Sequence, residues 1–354
     1  MRLLAGVHAR KAVARCRALP QGLSVRFLLC ASLFVLLVPD WSGKARISLL
    51  GPDPAFTVAR VPLDEANPAR TRVGDLVYLG GVRLSSKDPQ FGGFSALTVA
   101  GNRFTLLSDS GDIVRFALDR DWRVQDRSYA EVPDGPGTGW EKGDRDSESM
   151  SVDPRTGAIW VGFENANAFW RYDSTFRAAQ AHVAPPVMRH WPLNKGPEAM
   201  TLLPGGGMAT IGEQDRWPGG KGRAGIVFAG DPSVDPRRGF RFDYIPPEGS
   251  SPSDMTVLPD GRWLILNRRF AWFRFSNVLT IVDPADVRPG ATVRGRDIAT
   301  LESPLIHDNF EGVTATQEGR ATVIWLVSDD NQLPVQRSLL LKFRLDPVAR
   351  GDRN

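Results

Sequence analysis

The side chains with chemical reach in this sequence are mostly carboxylates, and they recur at two kinds of place. Glu148, Glu198 and Glu311 each open a short motif; Asp109, Glu164, Glu213 and Asp329 each follow an apolar run 14 to 18 residues after such an opening. Asp146, Asp308 and Asp330 stand beside them. Carboxylates gathered at one mouth repel one another unless a positive charge sits among them. An all-oxygen donor set with no thiol suits Ca²⁺, or Mg²⁺, better than zinc. In the fourth copy the carboxylate place is taken by Arg268, followed by Arg269. A guanidinium fork opposite a bound cation grips phosphate or carboxylate through two parallel bonds. His307, next to Asp308, is the histidine nearest this set and a candidate general acid or base. Each residue also has a plain structural reading. An inner carboxylate can cap backbone N–H groups or pair with an arginine, and His307 alone reads as a turn residue.

Several chemistries are excluded by count. Cys16 and Cys30 both precede residue 31, so no disulfide framework, thiol nucleophile or CxxC metal site exists beyond them. Histidine occurs only at 8, 182, 190 and 307, which rules out a His-rich metal centre. No G-x-S-x-G nucleophile elbow occurs, so ester cleavage would rest on metal-activated water and not on a serine. The glycine-rich pieces 204–207 and 218–222 lack the strand–loop–helix setting of a phosphate loop and read as turns. His190 and Trp191 read as packing at a strand, and Trp160, Trp263 and Trp325 as core.

The elements that must position these residues follow from an internal repeat. Two small or acidic residues, an apolar residue, Thr or Ser, and another apolar residue recur as Ser95–Val99, Glu148–Val152, Glu198–Leu202, Ser253–Val257 and Glu311–Ala315. The copies are 50 to 58 residues apart. Each is followed by a Gly- or Asp-containing turn, an apolar strand, the polar position, and a further strand. That is hairpin chemistry at a propeller period. With 35 Gly, 27 Pro and 42% apolar residues, the 354-residue chain suits many short strands around a real core. The expectation is an all-β propeller of four-stranded blades. Five repeats are counted, and a sixth blade stays open within 174–193 or 214–250. The last repeat lacks a fourth strand, which the apolar stretch 76–84 can supply, closing the ring with strands from both chain ends. Adjacent strand ends then carry both carboxylate sets to one face.

The net charge of +4 comes from the start of the chain, where Arg2, Arg10, Lys11, Arg15, Arg17, Arg26 and Lys44 face Asp40 alone. No basic stripe interleaved with aromatics remains, which argues against nucleic acid. The basic segment leads into the apolar run 27–38, the length of a signal-peptide core and short for a membrane span. The expected organisation is 1–45 signal peptide or N-terminal anchor, 46–74 linker or entry segment, 75–345 propeller and 346–354 tail. The expected location is the bacterial periplasm or exterior, with membrane contact only through an uncleaved leader, as a monomer acting on a small molecule.

The strings Phe94-Ser95-Ala96-Leu97, Leu107-Ser108-Asp109-Ser110-Gly111, Glu148-Ser149-Met150, Gly196-Pro197-Glu198-Ala199-Met200, Pro252-Ser253-Asp254-Met255 and Asn309-Phe310-Glu311-Gly312-Val313 resemble the phytase-like propeller family, known as "esterase-like activity of phytase" proteins. The resemblance spans about 75 to 345. It implies an exported propeller with hydrolase-like activity and makes the acidic repeat positions candidate metal ligands. It does not define a substrate. True β-propeller phytases use several Ca²⁺ ions and a basic phosphate channel, whereas this ring offers acids and the Arg268–Arg269 pair. The reading is a metal-dependent hydrolase of phosphate or carboxylic esters, with a non-catalytic binding propeller of the cell envelope as the alternative.

Overall fold

A computed structural model of the chain describes residues 47–51, 54–193, 195–272 and 274–346. The expected leader lies outside the described residues, as does nearly all of the expected tail. Among the described residues no helix is long and apolar enough to cross a membrane.

Five antiparallel sheets make the five blades of a β-propeller. The first blade contains Phe94–Ala100, Arg103–Ser108, Asp112–Leu118 and Val124–Glu131; the second contains Ser147–Val152, Ile159–Phe163, Ala168–Tyr172 and Ala179–Val183. Ala199–Leu202, Met208–Ile211, Arg223–Phe228 and Gly239–Tyr244 form the third, with Thr292–Val293 added parallel to its outer strand. The fourth is Ser251–Val257, Trp263–Ala271, Arg274–Val282 and Arg296–Leu301. In the fifth, Phe310–Glu318, Ala321–Ser328 and Ser338–Leu345 continue into Leu76–Ser86 and Phe56–Arg60. Leu76–Ser86 pairs with Ser338–Leu345 from Leu84 opposite Ser338 to Leu76 opposite Leu345. The segments in which a sixth blade stayed open supply strands of the second and third blades instead.

The repeat explains the ring. Each inner strand contacts the inner strands on both sides, the fifth returning to the first. The third motif position, occupied by Leu97, Met150, Met200, Met255 and Val313, enters a different apolar cluster in every copy. Those clusters lie between neighbouring blades, where each sheet buries its apolar face against the next. Trp160, Trp263 and Trp325 are buried in them as expected. The turn after each inner strand needs a left-handed residue, met by glycine at φ +89° for Gly261 and +59° for Gly319. His190 and Trp191 differ from expectation. They follow a short 3₁₀ turn, Pro186–Met188, rather than sitting on a strand; Trp191 is buried against Met188 and Trp217, and exposed His190 accepts a hydrogen bond from Arg189.

Candidate metal centre at the acidic mouth

The first motif position is a β-bulge in four blades. Pairing skips Ser95, Glu148, Ser253 and Glu311, so that two inner-strand residues face one on the second strand. Bulges re-aim side chains, and here they hold the motif's first residue at the rim of the channel. The serines use that position to tie blades together. Ser95 Oγ donates to Ser147 O at 2.6 Å, and Ser253 Oγ to Phe310 O at 3.3 Å. The glutamates instead face the mouth.

A second regularity brings the polar position to the same rim. Its backbone N–H donates to the carbonyl of the residue two before the motif: Asp109 to Gly93, Glu164 to Asp146, Glu213 to Gly196 and Asp329 to Asn309, at 2.8 to 3.2 Å. Arg268 holds the equivalent place, paired with Ser251. Asp109, Glu148, Glu164, Glu198, Glu213, Glu311, Asp329 and Arg268 all line one cleft of about 730 Å³. Arg269 and His307 do not. Arg269 is directed away, to Ser276 Oγ at 3.2 Å and Glu302 at 3.8 Å. The ring of His307 meets Leu305 O at 2.7 Å. Asp308 is held by Arg337 at 3.0 Å, and Asp330 accepts from Gly93 N and Ser338 Oγ; neither lines the cleft.

Within the cleft the charges divide into two groups. Arg268 bonds Glu311, lies 3.2 Å from Glu213 and 3.9 Å from Glu198, and reaches Asn309 Oδ1 at 3.1 Å. Lys195 lies 3.2 Å from Glu213. Burial alone would lower the Arg268 pKa, but the charges of Glu198, Glu213 and Glu148 outweigh it and hold the guanidinium above its ordinary value. Arg268 is therefore saturated by acids and is not a free fork for an anion. Lys142 is likewise taken by Asp109 at 2.5 Å.

The second group is Asp146, Glu148 and Glu164, with one carboxylate oxygen of each within 4.8 Å of the others. None of these three forms an ion pair with a basic residue among the described residues. Glu164 also belongs to a like cluster with Glu198 and Glu213. Burial is the main reason all three carboxyls of the first cluster titrate high. Glu148 is pushed well above the usual range, with Asp146, Glu198 and Glu164 adding repulsion. Glu164 rises to about 8, with Asp146 as the next cause, and Asp146 itself is raised. Glu198 is raised well above the usual range by burial and then by Glu213. Asp329 rises to about 7 through burial and the charge of Asp109; Asn309 Nδ2 donates to its Oδ2 at 3.2 Å.

Asp146, expected only beside the ring, is thus a full member of the cluster. Lys142, Lys195, Asn165 and Asn309 join the cleft without having been singled out. A readable signal existed for two of these residues: Asp146 and Asn309 both stand two places before the motif, where the backbone carbonyl fixes the rim.

A five-bladed propeller carrying an acidic rim cluster able to hold a cation is the class defined by these observations. Residues 89–332 match the family described as "Phytase-like: Esterase-like activity of phytase". The chain belongs to this phytase-like family. No curated protein matches the sequence. Similar solved structures include the hydrazine synthase of Kuenenia stuttgartiensis, at 14% identity over 69% of this chain and 58% of that chain, TM-score 0.35. The major allergen Mala s 1 of Malassezia sympodialis has 12% identity over 80% and 94% of the two chains, TM-score 0.37. A chain of a nidogen/laminin complex has 8% identity over 84% and 100%, TM-score 0.42. At these identities and overlaps the likenesses say nothing of what this chain binds or acts on.

Proposed function

We propose that the acidic mouth is a metal-dependent centre hydrolysing phosphoric or carboxylic esters, with Asp146, Glu148 and Glu164 holding a hard divalent cation, Ca²⁺ or Mg²⁺. The observation that carries this is the contrast within the cleft. The Glu198–Glu213–Glu311 side has its cation in Arg268, whereas Asp146, Glu148 and Glu164 beside it form no ion pair among the described residues. The donor set fits the group: all oxygen, closely spaced, and with carboxyls raised by burial and mutual repulsion that a bound cation would offset. A cation bound there supplies Lewis-acid polarisation of an ester oxygen and a water of lowered pKa.

The remaining roles belong to the chain. Arg268 fixes Glu213 and Glu311 and keeps that side of the mouth in place. Lys142 and Lys195 stand at the cleft edge, held by Asp109 and Glu213. Asp329, titrating near 7 and positioned by Asn309, can hold a proton at Oδ1 or Oδ2 and hand it to a leaving alkoxide. This gives Asp329 the proton-transfer role that the sequence suggested for His307. The basic and apolar start of the chain supports an exported, periplasmic location.

Thermal unfolding of the full chain after chelation, with and without added cation, tests the centre. A cation at a hundred times its Kd should add about 2.7 kcal/mol to stability. Glu164→Gln should lose most of that gain. An unmoved midpoint with Ca²⁺, Mg²⁺ and Mn²⁺ would sink the metal centre. A cation shift with no hydrolysis of a phosphomonoester and carboxylic ester panel would leave a binding propeller.

A further inference from the structure

The hairpin of the fourth blade differs from its counterparts. Second strands of the other blades stop just before the rim position, at Ser108, Phe163, Ile211 and Ser328; this one runs past Arg268 to Ala271. Pairing continues past the rim position to Ala271 opposite Arg274. Its end carries exposed aromatic side chains. Trp272 begins the turn at φ +52°, where Asn or Gly is the low-cost choice, and is 93% exposed. Phe270 is 59% exposed.

Phe270 and Phe275 face each other in register, with ring centroids 4.7 Å apart, and both line the acidic cleft. They are the apolar side chains of its wall, which is otherwise built from charged and amide groups and small residues. The cleft therefore carries one aromatic pair among its carboxylates. Its cations are already engaged: Arg268 by glutamates, Lys142 by Asp109 and Lys195 by Glu213.

We infer that Phe270 and Phe275 form a binding subsite for an aryl group, so that the ligands of this mouth are aryl-bearing esters with a single anionic or ester head. A polyanion such as a multiply phosphorylated polyol finds no free cations there, only engaged ones among carboxylates. This inference rests on the hydrolase reading for the ester head, and on the hairpin alone for the aryl part. An aromatic ring stacks on the pair edge-on or offset and shields apolar surface that water now covers.

The test is calorimetric binding of two non-hydrolysable probes, 2-naphthylphosphonate and methylphosphonate, to the Ca²⁺-supplemented full chain. The naphthyl probe should bind roughly tenfold or more tightly. In a Phe270→Ala, Phe275→Ala double variant the difference should shrink to about twofold with methylphosphonate affinity unchanged. The variant's unfolding midpoint should stay near that of the parent, because Phe270 is exposed and Phe275 only half-buried. Equal binding of the two probes, binding of neither, or a preference that survives in the double variant overturns the subsite. Hydrolysis across an ester panel with no aryl preference removes the subsite and keeps the hydrolase. An aryl preference abolished by the variant, in a protein that cleaves no ester, keeps the subsite and removes the hydrolase.

Discussion

Arg268→Met exposes how the mouth is held. The substitution keeps most of the side-chain volume and removes the guanidinium that bonds Glu311 and lies 3.2 Å from Glu213. Removing one partner of a buried pair leaves the other charge uncompensated, at about 3–5 kcal/mol. In a domain of this size a kilocalorie moves the midpoint by roughly 2 °C, so the fall at pH 8 should be on the order of 6–10 °C. The pH dependence separates this cause from lost packing. Glu198 already titrates well above the usual range, mainly through burial. Without Arg268 its folded-state pKa rises further, and the folded state binds more protons than the unfolded one. Stability then declines as pH rises through the window from the unfolded carboxyl value upward. The variant should therefore lose markedly less at pH 5.5, where protons neutralise the acids, than at pH 8. Adding Glu213→Gln and Glu311→Gln removes the stranded charges and should recover most of the loss. The assay is thermal unfolding by circular dichroism across pH in chelator. A fall of under about 2 °C at pH 8, or the same fall at both pH values, would refute the electrostatic argument.

Three further outcomes follow from the same geometry. Glu164 titrates at about 8 against an ordinary value of 4.5, so the chelated protein should lose stability between about pH 4.5 and 8; Glu164→Gln should remove roughly 2–4 kcal/mol of that loss at pH 8 and change little at pH 4, read as unfolding midpoints. Asp254, buried between the fourth and fifth inner strands, accepts from Val313 N at 2.7 Å and Met255 N at 2.8 Å. Asp254→Ala should cost about 1–3 kcal/mol in urea unfolding and Asp254→Asn less, because the amide keeps one acceptor. Asp329→Asn should lower kcat on alkyl esters about 100-fold while sparing esters with a good leaving group, which do not need a proton at departure; equal loss on both would remove Asp329 from proton transfer.

The blades were legible because the repeat couples pattern to pairing. A period near 50 marks one sheet, and the apolar third position marks the interface that each sheet must bury. The rim was legible for the same reason: strand ends in antiparallel neighbours share an edge, so Glu148 and Glu164 could be placed together from sequence distance alone. Individual side chains were harder to place. Arg268 and Arg269 are adjacent in sequence, but successive residues of a strand point to opposite faces. One therefore enters the cleft and the other faces outward to Glu302. His307 lies only four residues from Glu311, yet its chain segment precedes the bulge and its ring is held by Leu305. The aromatic hairpin was invisible as a subsite because its register decides it. Phe270 meets Phe275 only in the register that sets Ala271 opposite Arg274, and Trp272 lies at positive φ, where Asn or Gly is the usual signal.

The division of charge across the mouth explains why an arginine stands in a ring of acids. Five equivalent rim positions filled with carboxylates would repel one another across the channel. Two motif openings are serines, Ser95 and Ser253, which exchange charge for a bond to the next blade's backbone. One polar position is Arg268, which neutralises the side nearest the fourth and fifth blades. These substitutions relieve part of the ring and leave the second blade, with Asp146, Glu148 and Glu164, as the part without an ion pair among the described residues. A fold that needed only stability could have placed a serine or an arginine there too. Holding these acids close together at a mostly buried rim costs stability at neutral pH, and a bound cation would recover that cost.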